Sequence, residues 1–121
     1  MHTIELTAEQ VDKMSHYLHS LKGHIEFCPD VRESYGERAE ELIQAAENAV
    51  EPFDEVIGLD YPLVDEDDLK LAIPLLGETY HVFESHCYNN CPPDERNVRD
   101  NALRAFIDDM KAMSQETSLE R

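Results

Sequence analysis

The sequence predicts an all-α domain, an up-down bundle of about four amphipathic helices. Three observations carry that expectation. Apolar residues recur at intervals of three and four in four separate segments, and the breaks between them are rich in Pro, Asn and acid and mostly short. The chain has 121 residues, 41% of them hydrophobic, enough to bury one core without staples. Neither a low-complexity tract nor an internal repeat divides it, so it reads as a single domain over 1–121, with residues 115–121 expected to fray.

The first helix starts at a capping box, Thr7-Ala8-Glu9-Gln10. Its stripe is Val11, Met14, Leu18, Leu21 and Ile25, and Pro29 ends it. Residues 3–6, ahead of it, alternate like a short strand that needs a partner. The second helix has two possible caps, Asp30 with Glu33 or Ser34 with Glu37. It turns Tyr35, Ala39, Leu42, Ile43, Ala46, Ala49 and Val50 to the core, and Pro52 stops it. Residues 53–68, with Gly58, Pro62 and the run Asp65-Glu66-Asp67-Asp68, read as an irregular connection that caps the next helix at Asp65.

The third stripe is Leu69, Ala72, Ile73, Leu76, Tyr80, Phe83 and Cys87. Its phase survives Pro74, so either one helix passes through the proline or a short turn precedes a helix with Pro74 in its first turn. The alternation of Leu69, Leu71 and Ile73 leaves a minor α+β alternative, with residues 69–73 pairing to 3–6. Residues 89–93 break the pattern, and Asp94 can cap a fourth helix carrying Val98, Ala102, Phe106, Met110 and Met113.

No apolar run reaches the roughly 18 residues of a membrane span, and the N-terminal residues lack the pattern of a signal peptide, so a soluble, cytoplasmic protein is expected. The formal net charge is −17, and it is uneven. Residues 30–68 hold 14 acids against Arg32 and Arg38. Such a field repels nucleic acid and anionic membrane and attracts basic protein surfaces. The second helix also lacks a Lys four residues after any of its Glu residues, so its like charges are expected to cost stability.

Catalytic signatures are missing: there is no G-x-S-x-G and no Gly-rich phosphate loop, and no enzymatic role is expected. Glu78-Thr79-Tyr80-His81 is an E-x-x-H, the unit di-iron bundles use twice, but no second copy exists. The acidic middle admits three readings: a solvated helix surface, adaptation to salt, or an anionic docking surface. Its concentration in one region favours docking over salt adaptation. The residues nominated for partner binding are Glu37, Glu40, Glu41, Glu47 and Glu51 on the second helix. Asp54, Glu55, Asp65, Glu66, Asp67 and Asp68 extend them beyond it.

In size and charge, though in no motif, the chain is similar to small phage or bacterial inhibitors that occupy the nucleic-acid groove of a nuclease or regulator. That likeness implies an inhibitor of the nucleic-acid-mimic type, partnered by a basic protein and not by nucleic acid or membrane. The alternative from another class is a zinc-stabilised regulatory or sensor domain. In an up-down bundle the first and third helices are parallel, which gathers Cys28, Cys87 and Cys91 at one end with His24 or His86 as a fourth ligand. Against zinc stands the apolar stripe, which already explains Cys28 and Cys87 as buried thiols. A homodimer is a fair expectation for a small soluble domain.

Overall fold

Thr7 sets the start of α1 (Ala8–Phe27): its Oγ1 accepts from the Gln10 amide at 3.0 Å, and Gln10 Oε1 accepts from the Thr7 amide at 2.9 Å. Both donors would otherwise be orphaned at the helix start. The computed structural model describes residues 3–86 and 93–119. Cys28 ends α1 and begins α2 (Pro29–Tyr35), where Pro29 takes the first helical position and its missing N–H costs nothing. Gly36 then turns the chain with φ +59°, a conformation that glycine adopts without steric cost, and α3 (Arg38–Asp54) follows. The expected second helix is therefore two helices. Neither Asp30 nor Ser34 caps α3, and α3 continues two residues beyond Pro52.

Strand β1 (Thr3–Glu5) pairs antiparallel with β2 (Leu63–Asp65), with Ile4 opposite Val64, and the Leu6 amide donates to the Pro62 carbonyl at 3.0 Å. A partner for residues 3–6 does exist, but it is 63–65 and not 69–73. Residues 69–73 belong to α4 (Glu66–His86), one helix that passes through Pro74. Leu69, Ala72 and Leu76 are fully buried while Leu71 is exposed, so the helical repeat wins over the alternation. The last helix, α5, spans Pro93–Leu119.

The helices alternate in direction. Lys22 pairs with Glu47 and His19 with Asp54, so α3 runs antiparallel to α1. Thr79 Oγ1 donates to the Tyr17 carbonyl at 3.4 Å, and the His24 ring meets Phe83 at 5.6 Å, so α4 runs parallel to α1. Tyr17 meets Phe106 at 5.6 Å, and Gln10 Nε2 donates to Met113 Sδ at 3.8 Å, which sets α5 antiparallel to α1. The up-down arrangement holds, with α2 as an inserted turn of helix. Phe53, Met14, Leu18, Leu21, Leu76, Leu103 and Met110 fill the centre.

On α5 the buried face is Leu103, Phe106 and Met110, whereas Val98 and Ala102 are exposed. A series stepping strictly by four drifts by about 40° per step on a helix of 3.6 residues per turn. Read back from Met110 and Phe106, it has left the core by Ala102. Arg99 instead closes that end: it donates to the Phe83 carbonyl at 3.2 Å, pairs with the buried Asp100, and lays its guanidinium 4.5 Å from the Phe83 ring centroid.

Candidate functional site

On α3 the outward row is Glu37, Glu41, Gln44, Asn48, Glu51 and Glu55, spaced alternately by four and three, and all six are exposed. Gln44 Nε2 donates to Asn48 Oδ1 at 3.0 Å, so the middle of the row is amide and its two ends are carboxylate. Glu37, Glu41, Glu51 and Glu55 have no ion-pair partner among the described residues. With Gln44 and Asn48 at its centre, the row carries less charge than composition suggests.

The remaining α3 acids turn sideways and are engaged. Lys22 from α1 reaches Glu47 at 2.7 Å, and hydrogen bonding to Glu47 raises the Lys22 ammonium above its ordinary pKa. Glu40 pairs with Arg32 of α2. Asp54 accepts from the buried Ser15 hydroxyl at 2.6 Å and contacts His19 Nε2 at 2.9 Å. Glu47 and Asp54 thus join α3 to α1 in addition to carrying charge.

The second acidic group is divided in the same way. Glu66 is only 2% exposed and holds Lys70 at 2.8 Å, so it is not available to a partner as nominated. Its place in the first turn of α4 and a lysine four residues on offset part of the cost of holding a carboxylate inward. Asp67 is exposed, and Asp65 and Asp68 are half-buried. Burial raises the Asp68 carboxyl above the usual range, and the charges of Asp65 and Asp67 add to the effect. Asp68 and Asn48 line one cleft, so this group and the α3 row adjoin.

The apolar part of that cleft was not nominated from sequence. Leu71 and Pro74 stand over Ala49 and Leu75 there. The available signal was Leu71, an aliphatic residue out of phase with the α4 stripe.

Comparison with family models, curated proteins and solved structures finds no match to this chain.

The E-x-x-H residues are separately employed. Glu78 accepts from the Tyr35 hydroxyl at 2.8 Å, while His81 is exposed. Burial, then the bond to Glu78, holds the Tyr35 phenol well above its ordinary pKa. Of the nominated zinc ligands, Cys28 is half-buried at the end of α1, and Cys87 and Cys91 lie outside the described residues. His24 Nδ1 is 2.8 Å from the Ser20 carbonyl, which can only accept, so Nδ1 carries the proton. Among the described residues no group of three or more His, Cys, Asp and Glu is placed to hold a metal ion, and no helix is long and apolar enough to cross a membrane.

Proposed function

We propose that this chain is a non-enzymatic, cytoplasmic protein-interaction module that docks on a basic surface of a partner protein. The contact runs through the outward carboxylates of α3 and the neighbouring Asp65, Asp67 and Asp68. One observation carries the reading: Glu37, Glu41, Glu51 and Glu55 stand unneutralised on one face, while the other α3 acids are spent on pairs with Lys22, Arg32, Ser15 and His19. From Glu37 to Glu55 the row covers about 27 Å at about 1.5 Å per residue.

The narrower form of the proposal is an inhibitor or regulator of a nucleic-acid-handling protein, occupying the site where a phosphate backbone would lie. Four charges over that length are sparser than the one per roughly 3.4 Å of a DNA strand. In this form the Asp65, Asp67 and Asp68 group supplies a second row across the cleft.

The test is capture of the partner from host lysate at about 50 mM and about 300 mM NaCl. Baits are the wild type, a Glu37→Gln/Glu41→Gln/Glu51→Gln/Glu55→Gln variant, and an Asp108→Asn/Asp109→Asn control on the exposed face of α5. The wild type and the control retain a salt-sensitive partner and the α3 variant loses it. Retention by the α3 variant overturns the reading, and failure of added duplex DNA to compete overturns the mimic form.

A second reading is a zinc-stabilised regulatory domain using Cys28, His24, Cys87 and Cys91. The His24 geometry favours it: Nδ1 donates to the Ser20 carbonyl, and metal-binding histidines commonly donate their other ring N–H to such an acceptor. The parallel course of α1 and α4 adds support, because both helices end on the same side. Metal analysis of untagged protein purified without chelator decides it. Stoichiometric zinc that disappears in Cys87→Ser supports the site, and metal-free protein of unchanged stability in EDTA removes it.

A further inference from the structure

Between the middle of α3 and the first turns of α4 lies an open cleft of about 450 Å³. Ala49 and Leu75, both buried, form its base, and Ala45 beside them is small enough to leave the space open. Leu71, 66% exposed, and Pro74 make one wall. An aliphatic side chain held in water at the edge of an apolar recess gains when another apolar group covers it, at about 25 cal/mol for each Å² removed from water.

The rim specifies the charge of what covers it. Asp68 lies at the mouth, with Asp67 next to it in sequence and the α3 carboxylates one row away. Burial disfavours the ionised form of Asp68, and the charges of Asp65 and Asp67 add to the effect, so a cation brought to this edge relieves existing repulsion. Lys70 also lines the cleft, but Glu66 holds its ammonium at 2.8 Å. An apolar recess beside uncompensated carboxylates discriminates against acidic partners as well as welcoming basic ones.

We propose that this cleft receives a large aliphatic or aromatic side chain from a basic amphipathic helix of a partner protein, with flanking Lys or Arg residues set against Asp67, Asp68 and the α3 row. The inference rests on the docking reading above and names the chemistry of the partner: a helix laid in a groove and anchored by apolar residues at helical spacing. A wholly polar basic surface would satisfy the carboxylates and leave the cleft unused.

Two synthetic helical peptides of about 16 residues and equal positive charge are the probes, one with Lys and Leu at amphipathic spacing and one with Ala in place of every Leu. Titration is followed by calorimetry and by amide chemical shifts. The Lys/Leu peptide binds at least about tenfold tighter than the Lys/Ala peptide, with the largest shifts at Ala45, Ala49 and Leu71. Leu71→Ser, a substitution at an exposed site, erases that preference while leaving the melting temperature and the weak Lys/Ala binding in place. Equal affinity of the two peptides, or a preference that survives Leu71→Ser, overturns the cleft proposal. If that happens while the four-glutamine variant still loses its partner, docking stands and the cleft falls. If the four-glutamine variant retains its partner, the docking reading fails, and the cleft proposal, which rests on it, fails too.

Discussion

Asp54 distinguishes a carboxylate that holds the bundle together from one that only charges its surface. Replacing it with Ala removes the acceptor of a 2.6 Å bond from Ser15, whose side chain is buried between α1 and α3, together with the 2.9 Å contact to His19. A hydrogen bond to a charged group contributes about 1.5–3 kcal/mol. The Asp54 side chain is 37% exposed, so the lower end of that range applies. The His19 contact, a hydrogen bond at an exposed site, adds about 0.5 kcal/mol. Part returns if the Ser15 hydroxyl turns to the Val11 carbonyl one helical turn back.

The expected net loss is about 2 kcal/mol, a fall of about 6–8 °C in Tm for a domain of this size. Calorimetry or urea unfolding measures it, with Glu51→Ala and Glu55→Ala as neighbours expected to stay within about 0.5 kcal/mol of wild type. A double-mutant cycle with Ser15→Ala isolates the pair, with an expected coupling of about 1 kcal/mol or more. If Asp54→Ala melts together with Glu51→Ala, or the coupling vanishes, the inter-helix bond does not stabilise the fold and Asp54 is one more solvated acid.

Three other outcomes follow from the charges. Raising NaCl from about 20 to about 300 mM should raise Tm, because Glu37, Glu41, Glu51 and Glu55 repel one another without ion-pair partners among the described residues; thermal scans check it, and a flat midpoint contradicts it. Asp68→Asn should stabilise the protein slightly at pH 7. Its carboxyl titrates above the unfolded value, so keeping it ionised costs more than its place in the first turn of α4 returns; chemical denaturation reads the sign. Tyr35, raised by burial and by Glu78, stays protonated in the fold while the unfolded phenol ionises near pH 10. Stability therefore falls as pH rises past that value, and Tyr35→Phe should flatten the decline in urea unfolding between about pH 9 and about pH 11.

Features set by neighbours along the chain were legible in the sequence. The Thr7–Gln10 box, the α1 stripe and the passage of one stripe through Pro74 depend on local spacing, and the helices follow them. Features set by distant partners were not. Leu63-Val64-Asp65 is too short to show an alternation, and it is extended because Thr3–Glu5 lies beside it. Gly36 hid a helix boundary because the apolar phase continues from Tyr35 into Ala39. In the candidate site, the row from Glu37 to Glu55 is periodic and was visible. The pairing of Glu47 with Lys22 and of Asp54 with Ser15 joins separate helices, and no rule of spacing within α3 shows it. The burial of Glu66 was concealed for the same reason, since an acidic run reads as a solvated one.

The small β1–β2 pair bears on how the chain reaches this fold. It joins Ile4 to Val64, and closing a loop of about 60 residues costs about 3.6 kcal/mol of chain entropy beyond a constant. Helices α1, α2 and α3 meet through much shorter loops and can assemble before that closure. The parallel neighbour α4 meets α1 only where the chain has returned to its own beginning, and the strand pair ties the segments that lead into both helices. Topology of this kind slows a helical protein relative to bundles built from sequence neighbours alone.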